Sequence, residues 1–177
     1  MRPLFCQLFI AMLLITSLRC VFAADGDRLF DQAKRVVLPG AAATSVLRRQ
    51  KSDSDWSVDE WEISVESLDQ VEVALAAALK RAGIGPPSFN AHNFFRQYMA
   101  ARWRGMRIIV VNGFYTSPGD LFPGHGIDPE KWKHELVTAF GGGCAFWYGV
   151  YVVEQHRFMP LNGGRGDRSM LICNAPK

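Results

Sequence analysis

Two stretches of the chain, residues 106–114 and 144–153, are apolar at both alternate sets of positions. In the first, Ile108, Ile109, Val110 and Val111 leave no polar face. In the second, Cys144, Phe146, Tyr148, Val150 and Val152 alternate with Ala145, Trp147, Gly149, Tyr151 and Val153. A strand with one face in water alternates apolar and polar, so two-sided strands of this kind require a sheet covered on both faces. Few helices are predicted elsewhere to do the covering. One sheet face therefore needs the N-terminal helix, a partner chain or a ligand.

The clearest helix lies over residues 67–82. Ser67 and Gln70 form a capping-box pattern, Leu68, Val71, Leu75, Ala78, Leu79 and Ala82 make an apolar stripe, and Gly83 stops it. Residues 59–65 alternate, with Trp61, Ile63 and Val65 on one side, which predicts a strand. Arg104-Gly105 reads as a tight turn joining 95–103 to 106–114, with a helix over 91–103 as the alternative. Residues 115–128 form a long loop, Asp128-Pro129 resembles a helix start, and residues 136–140 read as a strand. Beyond 153, turns at 154–157 and 162–164 frame a return strand at 158–161 and a last strand at 169–173. In a simple meander of these strands Cys144 and Cys173 lie at opposite ends, which argues against their pairing.

At the N-terminus, Leu29, Phe30, Ala33, Val36 and Val37 are at helical spacing over 25–37, and Pro39-Gly40 ends the pattern. Residues 40–58 show no period and read as a mobile linker. The Arg48-Arg49-Gln50-Lys51 run within it reads as a solvated loop. The fold class is α+β: a main helix packed on a curved antiparallel sheet of five or six strands, spanning 59–177, preceded by a short helix and linker at 24–58.

Residues 1–23 have a basic start at Arg2, an apolar core and small residues at Val21 and Ala23, the pattern of a secretory signal peptide cut after Ala23. Its unbroken apolar run of eight residues is too short for a spanning helix. Cleavage predicts a periplasmic or secreted protein of 154 of the 177 residues, without a transmembrane segment. Arg2, Arg19, Cys6 and Cys20 leave with the signal. That leaves 18 basic against 17 acidic residues and one cysteine pair, Cys144 and Cys173. Near-neutral charge gives no electrostatic case for nucleic acid or an anionic membrane.

Several groups carry candidate chemistry. Asp120, His125, Asp128, Glu130, His134 and Glu135 are donors of the type a zinc-like ion takes, without HExxH or paired-histidine spacing. Gly143-Cys144 suggests a thiol with backbone donors beside it, although Cys144 begins an apolar strand, where a buried or disulfide-bonded role is expected. Arg165-Gly166-Asp167 is an integrin-type tripeptide in a glycine-rich turn, read here as a solvated turn. Trp56, Trp61, Trp103, Trp132 and Trp147 either line an apolar pocket or fill the core.

Arg96-Gln97-Tyr98, the 108–112 strand, Gly142-Gly143 before an aromatic strand, and Phe158 to Asn162-Gly163 resemble a group of small exported bacterial proteins of uncharacterised function. The resemblance covers the C-terminal half and implies a cystatin-like or nuclear-transport-factor-like α+β domain with a helix on a curved sheet. It brings no catalytic residues, and Gly141 stands where that group often has an acid.

Together these readings predict an exported, non-enzymatic protein, with no cofactor, that binds a small-molecule or protein partner in the envelope. The expected surface is the aromatic sheet face and the loop 113–128, with Tyr115, Phe122, His125, Trp147 and Tyr151 in contact. The alternatives are a small metal-dependent hydrolase using His125, His134 and nearby acids, and a structural envelope protein that forms a homodimer.

Overall fold

The computed structural model describes residues 30–48, 56–57, 61–84, 93–115, 130–138, 143–162, 168–169 and 171–174. The signal segment, Asp120, Phe122, His125, Asp128 and the 165–167 tripeptide lie outside these residues.

Nine strands are described: β1 (Arg35–Leu38), β2 (Trp56–Ser57), β3 (Phe94–Trp103), β4 (Met106–Tyr115), β5 (Gly143–Val152), β6 (Arg157–Phe158), β7 (Leu161–Asn162), β8 (Arg168–Ser169) and β9 (Leu171–Asn174). Two helices accompany them, α1 (Ala43–Leu47) and α2 (Val65–Arg81). β3 and β4 form a ten-pair hairpin from Phe94↔Tyr115 to Trp103↔Met106, so residues 94–103 are strand and not helix. The turn residues Arg104 (φ 50°) and Gly105 (φ 78°) both take positive φ. A two-residue hairpin turn with positive φ at both positions matches the right-handed twist of its strands.

β5 pairs antiparallel with β4, and β6 and β9 share the outer edge of β5. On the other side, β1 and β2 share the outer edge of β3, β1 in parallel through Arg35↔Arg96 to Leu38↔Met99. The main sheet therefore has seven described strands and is mixed at one edge, while β7 and β8 form a separate ribbon. The fold class is α+β, with one main helix packed on the sheet.

α2 begins two residues before the expected position. Ser64, not Ser67, is the N-cap, and its Oγ accepts from the Ser67 backbone N–H at 3.2 Å. At the other end Gly83 takes φ 68° and the Ile84 N–H reaches the Leu79 carbonyl at 2.9 Å, the bond that closes a Schellman turn. The helix buries Leu68, Val71, Leu75, Ala78 and Leu79 on Phe94, Tyr98, Ala100, Ile109, Val111, Trp147 and Tyr151 of the sheet. Residues 61–64, expected in a strand, run without one into the cap. Trp61 still anchors there, its indole Nε1 donating to the Ala101 carbonyl at 2.9 Å.

The opposite face packs Met99, Ala101, Ile108, Val110, Tyr148, Val150 and Val152 under Leu38, Ala43, Val46 and Leu47. The cover is thus the chain's own 38–47 segment. This corrects the mobile-linker reading for residues 40–48: small residues at 40–43 let a 3-10 turn and α1 lie close on the sheet. The expected 25–37 helix is also corrected over its described part. Only Gln32–Lys34 forms a 3-10 turn, capped by the Asp31 side chain, before β1 begins. Apolar spacing fits a helix there, but the free edge of β3 offers Val36 and Val37 a full ladder of backbone bonds, and β-branched residues suit it.

Residues 136–138 also form no strand. Gln97 and Asn112, buried side by side in β3 and β4, take their place in bonding this backbone. Gln97 Nε2 donates to the carbonyls of Trp132 (2.6 Å) and Glu135 (2.7 Å), and Gln97 Oε1 accepts from Val137 N–H at 2.9 Å. Asn112 Nδ2 donates to the Val137 carbonyl at 3.0 Å and to Gln97 Oε1 at 2.9 Å. Side-chain amides thereby satisfy the segment without a ladder.

Candidate functional site

The most elaborate polar arrangement lies under the N-terminal segment. Arg96 and Tyr98 project from β3 toward α2 and are fully buried, and Glu72 of α2 is 5% exposed. Glu72 Oε1 accepts from Tyr98 OH at 2.9 Å and from Arg96 Nε at 3.3 Å. Arg96 Nη1 donates to the Phe94 carbonyl at 2.8 Å and Nη2 to the Asp31 carbonyl at 2.9 Å, while the Phe30 ring stacks on the guanidinium at 4.6 Å. Glu72 Oε2 meets Gln32 Nε2 at 3.1 Å and Arg35 Nη1 at 3.5 Å. Burial pushes the Tyr98 phenol well above its ordinary pKa. Both charges are paired and hydrogen-bonded, as buried charges must be. The cluster fastens residues 30–35 over the sheet edge.

The residues expected to meet a ligand separate into different environments. Trp147 and Tyr151 belong to the core beneath α2, at 0% and 1% exposure. Burial raises the Tyr151 phenol, whose ring meets Phe158 edge-on at 5.5 Å. A ligand reaches neither without displacing the helix. Tyr115 is half-buried at the end of β4.

Among the candidate metal ligands, Glu130 pairs with Lys133 at 2.8 Å and Glu135 with Lys131 at 3.3 Å, while His134 is exposed. No group of three histidine, cysteine or acidic residues that could hold a metal forms among the described residues. Cys144 is disulfide-bonded, which replaces the thiol reading: a sulfur in a disulfide is not a nucleophile. The chain is not the simple meander expected. β9 doubles back along β5, placing residue 174 opposite Gly143 and residue 173 opposite Trp147, with a register shift between. The strand carrying Cys173 therefore runs beside Cys144.

Tyr115 has neighbours that the sequence did not connect with it. The register aligns Phe95, Phe114 and Phe146 in one row across β3, β4 and β5. Phe95 and Phe114 stack at 5.4 Å and 7°, and Phe114 and Phe146 at 6.3 Å and 17°. Trp132 meets Phe95 edge-on at 4.9 Å, and Lys34 lies over the same ring at 5.6 Å. Tyr115 meets Phe94 edge-on at 5.3 Å on the other face. Phe95 and Tyr115 are half-buried, so this end of the sheet presents aromatic surface at the end of β4. Pairing residues 95 and 114 across the Arg104-Gly105 turn was the available signal for Phe95; for Trp132 it was membership of the five tryptophans expected to line a pocket or fill the core.

No family model, no curated protein and no solved structure matches this chain. The functional reading rests on its own geometry.

Proposed function

We propose that the chain is an exported, non-catalytic protein that binds a ligand or protein partner of the envelope through the aromatic end of its sheet. Tyr115 and Phe95 are the contact residues. The observation that carries this reading is the stacked row ending in half-buried Phe95, with half-buried Tyr115 at the next register position. Packed aromatic rings give a rigid contact surface at low entropic cost, and aromatic residues are enriched at the centres of interfaces.

Export is supported by the disulfide at Cys144, since such bonds persist in oxidising compartments. The non-catalytic reading is supported by the state of the described polar groups: Cys144 is oxidised, and Glu72, Arg96 and Tyr98 are sealed and mutually bonded. A helix across an antiparallel β3–β4–β5 core also accords with the resemblance to exported cystatin-like or nuclear-transport-factor-like domains.

The test is retention of envelope components by the immobilised mature protein, comparing the native chain with Tyr115→Ala. The expected result is a component held by the native surface and lost from the variant at unchanged melting temperature. Equal retention by both forms contradicts the assignment.

A further inference from the structure

β1 ends the main sheet on one side. It pairs with β3, and among the described residues no strand pairs with its outer edge. An open strand edge presents backbone N–H and C=O groups that another extended segment satisfies by adding to the sheet. Such edges are commonly guarded by charged side chains, a proline or a bulge. In β1 the middle positions are Val36 and Val37, and Pro39 falls just past its end. Its one charge, Arg35, is turned to Asp69 (3.4 Å) and Glu72 (3.5 Å) of α2.

Side chains alternate along the strand. Val36 and Leu38 belong to the core on the face away from α2, whereas Arg35 and Val37 share the α2 side. Val37 is 46% exposed. β1 runs parallel to β3 toward Met99, and Trp61, just before α2, bonds to Ala101 further along β3. Val37 and the start of α2 therefore lie on the same side of the Arg35–Asp69 pair. Val65, one turn before Asp69 on the helix, is 66% exposed. Two exposed valines and an ion pair thus border the open edge.

We infer that β1 is the docking edge for a second copy of this chain, added antiparallel about a two-fold axis with Val37 opposite Val37 of the partner subunit. Opposed residues of an antiparallel pair point to one face, so a two-fold register within Arg35–Leu38 centres on Val36 or on Val37. Val36 is already packed in its own core, and Val37 is the exposed one. That register sets apolar surface on apolar surface. Arg35 and Asp69 give each copy one cation and one anion beside the seam, a pattern that a two-fold mate complements. The chain's 20 basic and 17 acidic residues leave little net charge to hold copies apart. β9 also lies at a sheet edge. However, β1 added to β9 of another copy propagates without closing, whereas β1 added to β1 closes as a dimer. The inference is independent of the Tyr115 surface.

The test is sedimentation velocity of the mature full chain from about 10 μM to about 1 mM, beside Val37→Lys, Val37→Glu and an equimolar mixture of the two. Val37 is exposed, so both variants are expected to melt with the native chain; unfolding of both contradicts the placement. The native chain is expected to pass from monomer to dimer over this range. Each variant sets like charges against each other at the axis and weakens dimerisation at least about tenfold. The mixture brings opposite charges together there and regains association, and Tyr115→Ala dimerises as the native chain does. A native chain that stays monomeric, undiminished dimerisation of the two variants, or no recovery in the mixture overturns the proposal. So does growth of the native chain beyond a dimer.

Discussion

Trp147 lies against the backbone of Gly113: a Cβ built at residue 113 would fall among Cζ2, Cε2 and Cη2 of the indole. The two residues are register partners on β5 and β4, and the indole crosses the neighbouring strand because nothing projects there. Gly113→Ala has to displace the largest fully buried side chain of the core. The expected cost is about 3 kcal/mol, read as a lowered urea midpoint. A change within about 0.5 kcal/mol, the range of an ordinary surface substitution, contradicts the packing.

The Arg96–Glu72 pair behaves as a unit. Arg96→Met leaves Glu72 buried without its cation and is expected to cost about 3–5 kcal/mol. Adding Glu72→Leu removes the stranded charge and recovers most of that loss. Urea unfolding of the two single variants and the double variant checks this; simple additivity contradicts it.

The path of β9 along β5 predicts a disulfide between Cys144 and Cys173. Peptide mapping of the mature protein without reduction is expected to recover these two cysteines in one linked species that separates on reduction. Cys144 found linked to any other thiol contradicts the register.

Glu154 sets an acid-side dependence. Its partial burial raises its pKa. The Arg107 side-chain hydrogen bond, backbone hydrogen bonds and the Arg107 charge outweigh that and hold the carboxyl below its ordinary value. A lowered folded pKa contributes stability above the unfolded value of about 4.3, which is lost as pH falls through the folded value. The pair is solvent-exposed, so the effect is small and screened by salt. Glu154→Gln is expected to flatten the decline of stability between about pH 5 and pH 3 at low ionic strength. An unchanged slope contradicts the assignment.

Much of the architecture was legible where side-chain pattern and local backbone preference agree. The two-sided strands at 106–114 and 144–153 needed a doubly covered sheet, and the Leu68 to Leu79 stripe needed a helix. The N-terminal segment was misread because β1's partner lies about sixty residues further along the chain, and no local spacing of Val36 and Val37 reveals it. The start of α2 slipped because Ser64 and Ser67 both qualify as caps. Residues 136–138 look like a strand, yet the Gln97 and Asn112 amides hold their backbone.

The site was legible only in part, for a related reason. Tyr115 stands at a strand end visible in the sequence, whereas Phe95 joins it only through the hairpin register, and Trp132 through tertiary packing. Trp147 and Tyr151 carry the same aromatic signal but alternate onto the face that α2 covers.

The most direct test of the binding role is photo-crosslinking in intact cells. A benzophenone side chain replaces Tyr115 in one strain and Val73, exposed on α2, in another. A discrete adduct is expected from position 115 and none from position 73. No adduct from position 115, or the same adduct from both positions, contradicts it.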